Sequence, residues 1–367
     1  VKLTTDTGLV GWGECYAASV GPKAMTHVIA DVFARHMQNE HPENIEKMFR
    51  RVYSSGFTQR PDLTVMGAFS GLEIACWDIL GKHRNRPVWA LLGGKMNNRI
   101  RAYTYLYPLP HHDPVAFWTS PEMAAESAAD CVQRGYTAVK FDPAGPYTMR
   151  GGHMPAQSDI TLSVAFCKAI RGAIGDRADL LFGTHGQFSS AGAIRLGQAL
   201  EPYSPLWFEE PIPPDNLLEF CKIAEAVRIP VAAGERLTTK AEFATLLQTG
   251  GAAILQPALG RAGGLWEAKK IAALAEVFNA QLAPHLAESI PNILMAETIE
   301  TPFHAALIRS TLCVENGYVT APETPGLGIQ LDEALARAHP YHGSGLHLEM
   351  QEDPCKYHTG NAFLSGS

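Results

Sequence analysis

Leu206-Trp207-Phe208-Glu209-Glu210-Pro211 and, one βα unit later, Pro230-Val231-Ala232-Ala233-Gly234-Glu235-Arg236 are the two runs that decide the fold. Each is an apolar stretch of strand length that ends on a carboxylate. Continuous apolar runs belong to strands buried on both faces of a parallel sheet, and a charge at the C-terminal end of such a strand sits where barrels and doubly wound sheets carry their chemistry. One such Glu is by itself an ordinary solvated strand end. Two, at nearly equal βα spacing and each followed by loop residues, suggest two acids at one barrel mouth, the hard oxygen donors that a Mg²⁺ site needs.

Outward from these runs the rhythm is that of a barrel. Strand candidates are Ile100–Leu106, Thr137–Phe141, Leu180–Gly183, Leu206–Glu209, Val231–Gly234, Ala253–Gln256, Gln281–Ala283 and Ile293–Ala296. Amphipathic stretches such as Glu122–Arg134, Ile160–Ile174, Ser190–Leu200 and Gly264–Phe278 lie between them. Eight strands alternating with helices predict a (β/α)₈ TIM barrel over residues 99–320. No GxGxxG follows any strand, which removes the simplest dinucleotide-binding reading. Between His285 and Ile293 seven residues remain, too few for the helix expected there. A missing segment is the expectation, because the flanking strands keep their pattern.

Before the barrel, residues 1–98 read as a small α+β domain. Val1–Cys15 alternates apolar and polar residues around Asp6-Thr7-Gly8, as a hairpin does, and apolar residues then recur at helical spacing from about Ala24 to Tyr53 and from Thr64 to Leu92. The chain opens in mid-strand without Met, so an N-terminal piece is expected to be absent. After Thr320 the turn signals Pro322, Pro325-Gly326, Gly343 and Gly345 mark a segment, 321–367, expected to pack back on the first domain.

The chain has 367 residues, 46% of them hydrophobic, with 33 Gly and 25 Pro, as a globular protein with many tight loops has. The formal net charge of −7 argues against nucleic acid or a bare anionic membrane as partner. Seven Cys, an odd number without CxxC spacing, read as scattered thiols of a reducing compartment. No run approaches eighteen apolar residues, and a cytoplasmic location is expected.

The other strand ends offer more chemistry. Lys140 and Asp142 close the second strand on the same side, and a Lys whose pKa is lowered beside a metal can serve as base for a carbon acid. His185 stands in Gly183-Thr184-His185-Gly186-Gln187 after the third strand. Gln256 offers no acid after the sixth. His285 follows the seventh in Ala283-Pro284-His285, and Glu297 ends the eighth, a hydrogen-bond partner for a substrate carboxylate if protonated. A Lys on one side, a His on the other and two carboxylates between them suit the removal of a proton next to a carboxylate, a weak acid whose enediolate a divalent cation stabilises.

These residues resemble the enolase superfamily, in its mandelate racemase/muconate lactonizing enzyme subgroup, whose sites pair a Lys or His base with Mg²⁺. The resemblance runs over essentially the whole chain: GWGE near the start, GLEIACWDILGK, VKFD, FEEP, GER, RAGG after the sixth strand, PHL, and PGLG in the tail. It implies that the first domain caps the barrel, that Glu209 and Glu235 bind Mg²⁺, and that the protein acts on a small sugar acid, as a homo-oligomer. The sequence departs from the pattern in two places. Gly183 stands where the third ligand is normally Asp, so that His185 either binds the metal in its place or is a general acid. Ala258 stands near where an Asp usually supports the His base. Within the subgroup, VKFDPAGPYT, LLFGTHGQ, LWFEEPIPP and ERLTTK look like the 3,6-anhydro-L-galactonate cycloisomerases and neighbouring sugar-acid dehydratases. That implies abstraction of the C2 proton of an aldonate by Lys140 or His285, then loss of the C3 oxygen to give a 2-keto-3-deoxy acid. The alternatives are an epimerase or racemase of a 2-hydroxy acid, which Ala258 weakens, and a barrel that binds a sugar acid without turning it over.

Overall fold

The computed structural model describes residues 1–16, 20–55, 59–60, 62–142, 152–284, 289–298, 301–310 and 313–342. The chain opens with an antiparallel hairpin, β1 (Lys2–Thr4) and β2 (Val10–Trp12), and continues through α1 (Pro22–His36), α2 (Ile45–Ser55), α3 (Leu63–His83) and α4 (Val88–Leu91). Each of the two long helical stretches of the sequence is thus divided. Asn39 turns left-handed at φ 62 ahead of Pro42, and Pro87 enforces extended backbone before α4. Asp62 caps α3 by accepting from the Val65 amide at 2.9 Å. By length and composition α3 could cross a membrane, but 78% of its apolar window is buried inside the protein, as in a core helix.

The barrel follows: β3 (Ile100–Tyr105), α5 (Pro121–Gln133), β4 (Ala138–Phe141), α6 (Gln157–Ile174), β5 (Asp179–Gly183), α7 (Ser190–Leu200), β6 (Trp207–Glu209), α8 (Leu217–Ala226), β7 (Val231–Ala233), α9 (Thr239–Gln248), β8 (Ile254–Leu255), α10 (Gly264–Val277), β9 (Gln281–Leu282) and β10 (Ala296–Glu297). Successive strands pair in parallel from β3 to β9, and β10 pairs with β3 in the register Ala296↔Ala102. The last gap closes through a bridge between Leu282 and Ile293, where the Leu294 amide donates to the Leu282 carbonyl at 2.7 Å. The ring therefore closes on this sequence, with no helix among the described residues between β9 and β10. The final strand falls at Ala296–Glu297 rather than Ile293–Ala296, because pairing with β3 sets its position.

Alternation along the strands sorts side chains into two cores. Val139, Phe141, Leu180, Phe182, Phe208, Val231 and Leu255 face the helices. Tyr103, Ala138, Leu181, Trp207, Ala232, Ile254, Ala283 and Met295, one from each strand or its flank, fill the inside of the barrel. A position two residues further along each strand faces the same side and lies at the C-terminal mouth.

After the barrel come α11 (Pro302–Leu307), β11 (Ile308–Ser310), β12 (Cys313–Glu315), β13 (Tyr318–Thr320), β14 (Ile329–Leu331) and α12 (Glu333–Ala338). β13 pairs antiparallel with the start of β3. Beyond it the Gly326 and Leu327 backbone ties to the first domain: the Val88 amide donates to the Gly326 carbonyl at 3.0 Å, and the Leu327 amide to Asp78 Oδ1 at 2.9 Å.

Candidate active site

Two residues beyond the interior layer stand Lys140, Gly183, Glu209, Gln256 and Glu297, on β4, β5, β6, β8 and β10 or just past them. Lys140 is 5% exposed, and its Nζ donates to Glu209 Oε1 at 2.6 Å, with Glu297 Oε1 3.9 Å away. Glu209 Oε2 accepts from the Trp207 indole at 3.1 Å and from Gln256 Nε2 at 2.7 Å. Gln256 was given no part by the sequence, since it is no acid; its place two residues past Ile254 was the available signal. Burial opposes the charge on Lys140, but Glu209 and then Glu297 outweigh it and hold the pKa well above the ordinary lysine value.

Why the chain leaves room for this ammonium is visible at Gly183. A Cβ there would lie 3.1 Å from Lys140 Cε, tighter than an ordinary contact. Beyond Gly183 the backbone turns, with His185 at φ 50 and Gly186 at φ 71, the left-handed region that a non-Gly residue occupies at a cost of ~1–3 kcal/mol. That turn brings His185 Nδ1 to 2.6 Å from Asp142 Oδ2. A carboxylate only accepts, so Nδ1 carries a proton toward Asp142. Burial pushes the imidazole pKa down, but the Asp142 carboxylate outweighs it and raises His185 above its ordinary value.

Glu235 lies just past β7, on the loop that follows Gly234. Its Oε1 accepts from the Tyr16 hydroxyl at 3.3 Å, and its carbonyl from Arg261 Nη1 at 3.0 Å. Burial, then the Glu235 charge, push the Tyr16 phenol up to about 12, so it stays a donor at neutral pH. Arg261 opens the RAGG run but was given no role, and Tyr16 was not singled out in the sequence; Tyr16 is 219 residues from its partner, and no local pattern could link them. Glu210, the second acid of FEEP, turns away: it pairs with the Arg236 guanidinium and accepts from the Arg236 amide at 3.1 Å.

The structure thus brings together Lys140, Asp142, His185, Glu209, Glu235 and Glu297. His285 lies outside the described residues. The donor set suits a divalent cation of the Mg²⁺ type, which takes one or two carboxylates and keeps other positions for water and substrate. Glu209 and Glu235 supply hard oxygens from adjacent strand ends, and Gln256 Oε1 is a buried carbonyl oxygen with no hydrogen-bond partner among the described residues. A separate cluster on the loop after β3 and on α5, His111, His112 and Glu126, gathers its ligand atoms within 4.8 Å. There His112 Nδ1 accepts from the Leu109 amide at 3.1 Å, which puts the ring proton on Nε2, facing Glu126 at 2.9 Å; that nitrogen is a donor and not a ready ligand.

An eight-stranded parallel barrel with carboxylates, an ammonium and an imidazole gathered at its C-terminal mouth, beneath a domain that reaches into that mouth through Tyr16, defines an enzyme of the barrel class. Residues 1–93 match the mandelate racemase/muconate lactonizing enzyme N-terminal domain, and residues 122–335 the enolase C-terminal domain-like family. The chain belongs to the mandelate racemase/muconate lactonizing enzyme family of the enolase superfamily, whose members characteristically bind Mg²⁺. It is 34% identical over 360 residues to the D-gluconate/D-galactonate dehydratase of Picrophilus torridus, covering 94% of this chain and 88% of that protein. To the D-xylonate dehydratase of Haloferax volcanii it is 32% identical, over 94% of this chain and 86% of the other. A solved mandelate racemase/muconate lactonizing enzyme-like protein from Roseovarius sp. TM1035 superposes with a TM-score of 0.95 at 75% identity, covering 97% of this chain and 93% of that one.

Proposed function

We propose that this enzyme removes the proton α to the carboxylate of a sugar acid and eliminates the oxygen at C3, giving a 2-keto-3-deoxy acid. The observation that carries the reading is a pair of pairs at one mouth: an imidazole hydrogen-bonded to a carboxylate, His185 on Asp142, and an ammonium hydrogen-bonded to a carboxylate, Lys140 on Glu209. The dehydratase names of relatives at 34% and 32% identity support the substrate class.

Abstraction at C2 builds negative charge on the substrate carboxylate, and charge already in place at those oxygens lowers the barrier. A Mg²⁺ held by Glu209 and Glu235 would supply Lewis-acid charge there. Lys140 adds a second fixed positive charge beside it. We assign the abstraction of the C2 proton to His285 rather than to Lys140, whose Nζ is engaged with Glu209 at 2.6 Å. As the imidazolium, His185 gives its Nε2 proton to the C3 oxygen as the C–O bond breaks, and Asp142 holds the neutral ring that remains as its Nδ1–H tautomer. The electrons of the C2–H bond become the C2–C3 double bond, and the enol then ketonises. If the departing oxygen is a hydroxyl, water is lost; if it belongs to a ring ether, the ring opens and the product is an isomer. Glu297 is assigned to hydrogen bonding with the substrate. An epimerase would need a second strong base, and the family resemblance puts the Asp that usually supports the His base near Ala258, which carries no carboxylate.

The test is incubation of the protein and Mg²⁺ with aldonates, aldarates and 3,6-anhydro-aldonates in D₂O, read for 2-keto-3-deoxy acid and for deuterium at C2. His185→Asn is expected to keep exchange at C2 while losing product, and His285→Asn to lose both. Exchange that survives His285→Asn and is lost in Lys140→Met would overturn the assignment of the base.

A further inference from the structure

Glu235 is held from the other domain as well as from its own. Tyr16, four residues past the end of β2, donates its hydroxyl to Glu235 Oε1 at 3.3 Å and its amide to the Gly260 carbonyl at 3.0 Å. The Arg261 guanidinium lies 4.0 Å from the centre of the Tyr16 ring, on the segment that joins β8 to α10, and is 5% exposed. Further along the same segment the Gly263 amide donates to Ser70 Oγ at 3.0 Å, and the Leu265 and Trp266 amides donate to the buried Glu73 carboxylate at 2.8 and 2.9 Å. Ser70 and Glu73 are on α3 of the capping domain. The segment from Gly260 to Trp266 is therefore a strap, fastened to the capping domain along its length and to Glu235 through Arg261.

We propose that Tyr16 is a positioning residue for Glu235: through it and the strap, the seating of the capping domain fixes the rotation of one carboxylate of the divalent-cation site, and so sets cation affinity. This rests on the reading that Glu235 is a ligand. A phenol donating to Oε1 restrains the rotation of the carboxylate, and partners of this kind are generally worth about 10–100-fold in metal affinity. Cation–ring contact with Arg261 holds the phenol in that place. Because binding couplings are reciprocal, a cation at Glu235 must also tighten the capping domain onto the strap.

The experiment is calorimetric titration of the full chain with Mg²⁺ alone, for wild type, Glu235→Gln and Tyr16→Phe, together with amide hydrogen exchange of residues 260–266 with and without Mg²⁺. Glu235→Gln is expected to remove binding. Tyr16→Phe is expected to weaken it about tenfold while the metal-free protein melts as wild type does, and to abolish the Mg²⁺-dependent protection of the strap. If Glu235→Gln loses binding but Tyr16→Phe keeps wild-type affinity and protection, the positioning role is wrong and the ligand assignment stands. If Glu235→Gln binds as wild type does, the ligand assignment itself falls, and this proposal with it.

Discussion

Replacing Asp142 by Asn tests the acid most directly. Asp142 and His185 approach to 2.6 Å with side chains 4% and 13% exposed, so solvent screens the pair little. In the wild type the carboxylate outweighs burial and raises the His185 pKa. Asn keeps an oxygen that can accept from Nδ1 but removes the charge. A charge-assisted hydrogen bond is worth about 1.5–3 kcal/mol and a neutral one about 0.5–1.5 kcal/mol, so roughly 1–2 kcal/mol of preference for the imidazolium is lost. This moves the His185 pKa down, toward the value that burial alone favours. The acid must be protonated, so the alkaline limb of kcat/KM should shift to lower pH. Stability follows the same sign. The wild-type pair contributes fully below the unfolded pKa of His and is lost as pH rises through the raised folded value, so the Asn variant should be less stable below about pH 6.5. That deficit should shrink at higher pH. NMR titration of the His185 ring, with kcat/KM against pH, reads both effects. An alkaline limb that stays in place while the ring pKa falls would refute the assignment of His185 as the acid; a ring pKa that does not fall would refute the electrostatic argument.

Three further outcomes follow from buried contacts. Lys140→Met leaves Glu209 without its 2.6 Å cation in a site almost closed to water and should cost about 3–5 kcal/mol in urea unfolding, with activity falling as well; a loss under 1 kcal/mol would mean that the pair is solvated. Glu73→Ala strips acceptors from the Leu265 and Trp266 amides and the Trp77 indole, which bind it at 2.8, 2.9 and 2.7 Å, and should destabilise by about 3 kcal/mol or more in the same assay, with Glu73→Gln costing less. Gly264→Ala, at φ +89 with its new Cβ 2.1 Å from Glu73 Oε2, should be destabilising by about 2 kcal/mol or more and should loosen the strap seen by hydrogen exchange.

The barrel was legible because its signal is local. Apolar runs ending in Glu209 and Glu235, with Lys140 and Asp142 alternating onto one side, need only period two and strand length to be read. What was not legible depends on the ring closing. Pairing with β3 moves the last strand to Ala296–Glu297, and the Pro and left-handed Asn breaks inside the first two helical stretches are overridden in any reading by periodicity alone. At the site, the strand-end candidates could be named from the sequence, but their partners could not. Lys140 was read beside a metal, and the side chain it donates to is the Glu209 carboxylate. Gln256 was passed over for want of a charge, although an amide is what can donate to Glu209 and still present an oxygen.

Gly183 looks like a deficiency when the mouth is read as a list of ligands, and less so when charges are considered together. Asp142, Glu209, Glu235 and Glu297 already place four carboxylates around one Lys and one His. A further Asp at position 183 would begin from a Cβ only 3.1 Å from Lys140 Cε, so its carboxylate would crowd the side chain that neutralises Glu209. With Gly there, Lys140 can pass close to β5 and hold Glu209 at 2.6 Å, and its positive charge occupies part of the role that an extra acid would have to be balanced against. The two departures from the family pattern then belong together. Under the proposed function, a mouth with one carboxylate fewer and His185 as an acid supported by Asp142 suits a reaction that needs one base and one acid, elimination rather than inversion.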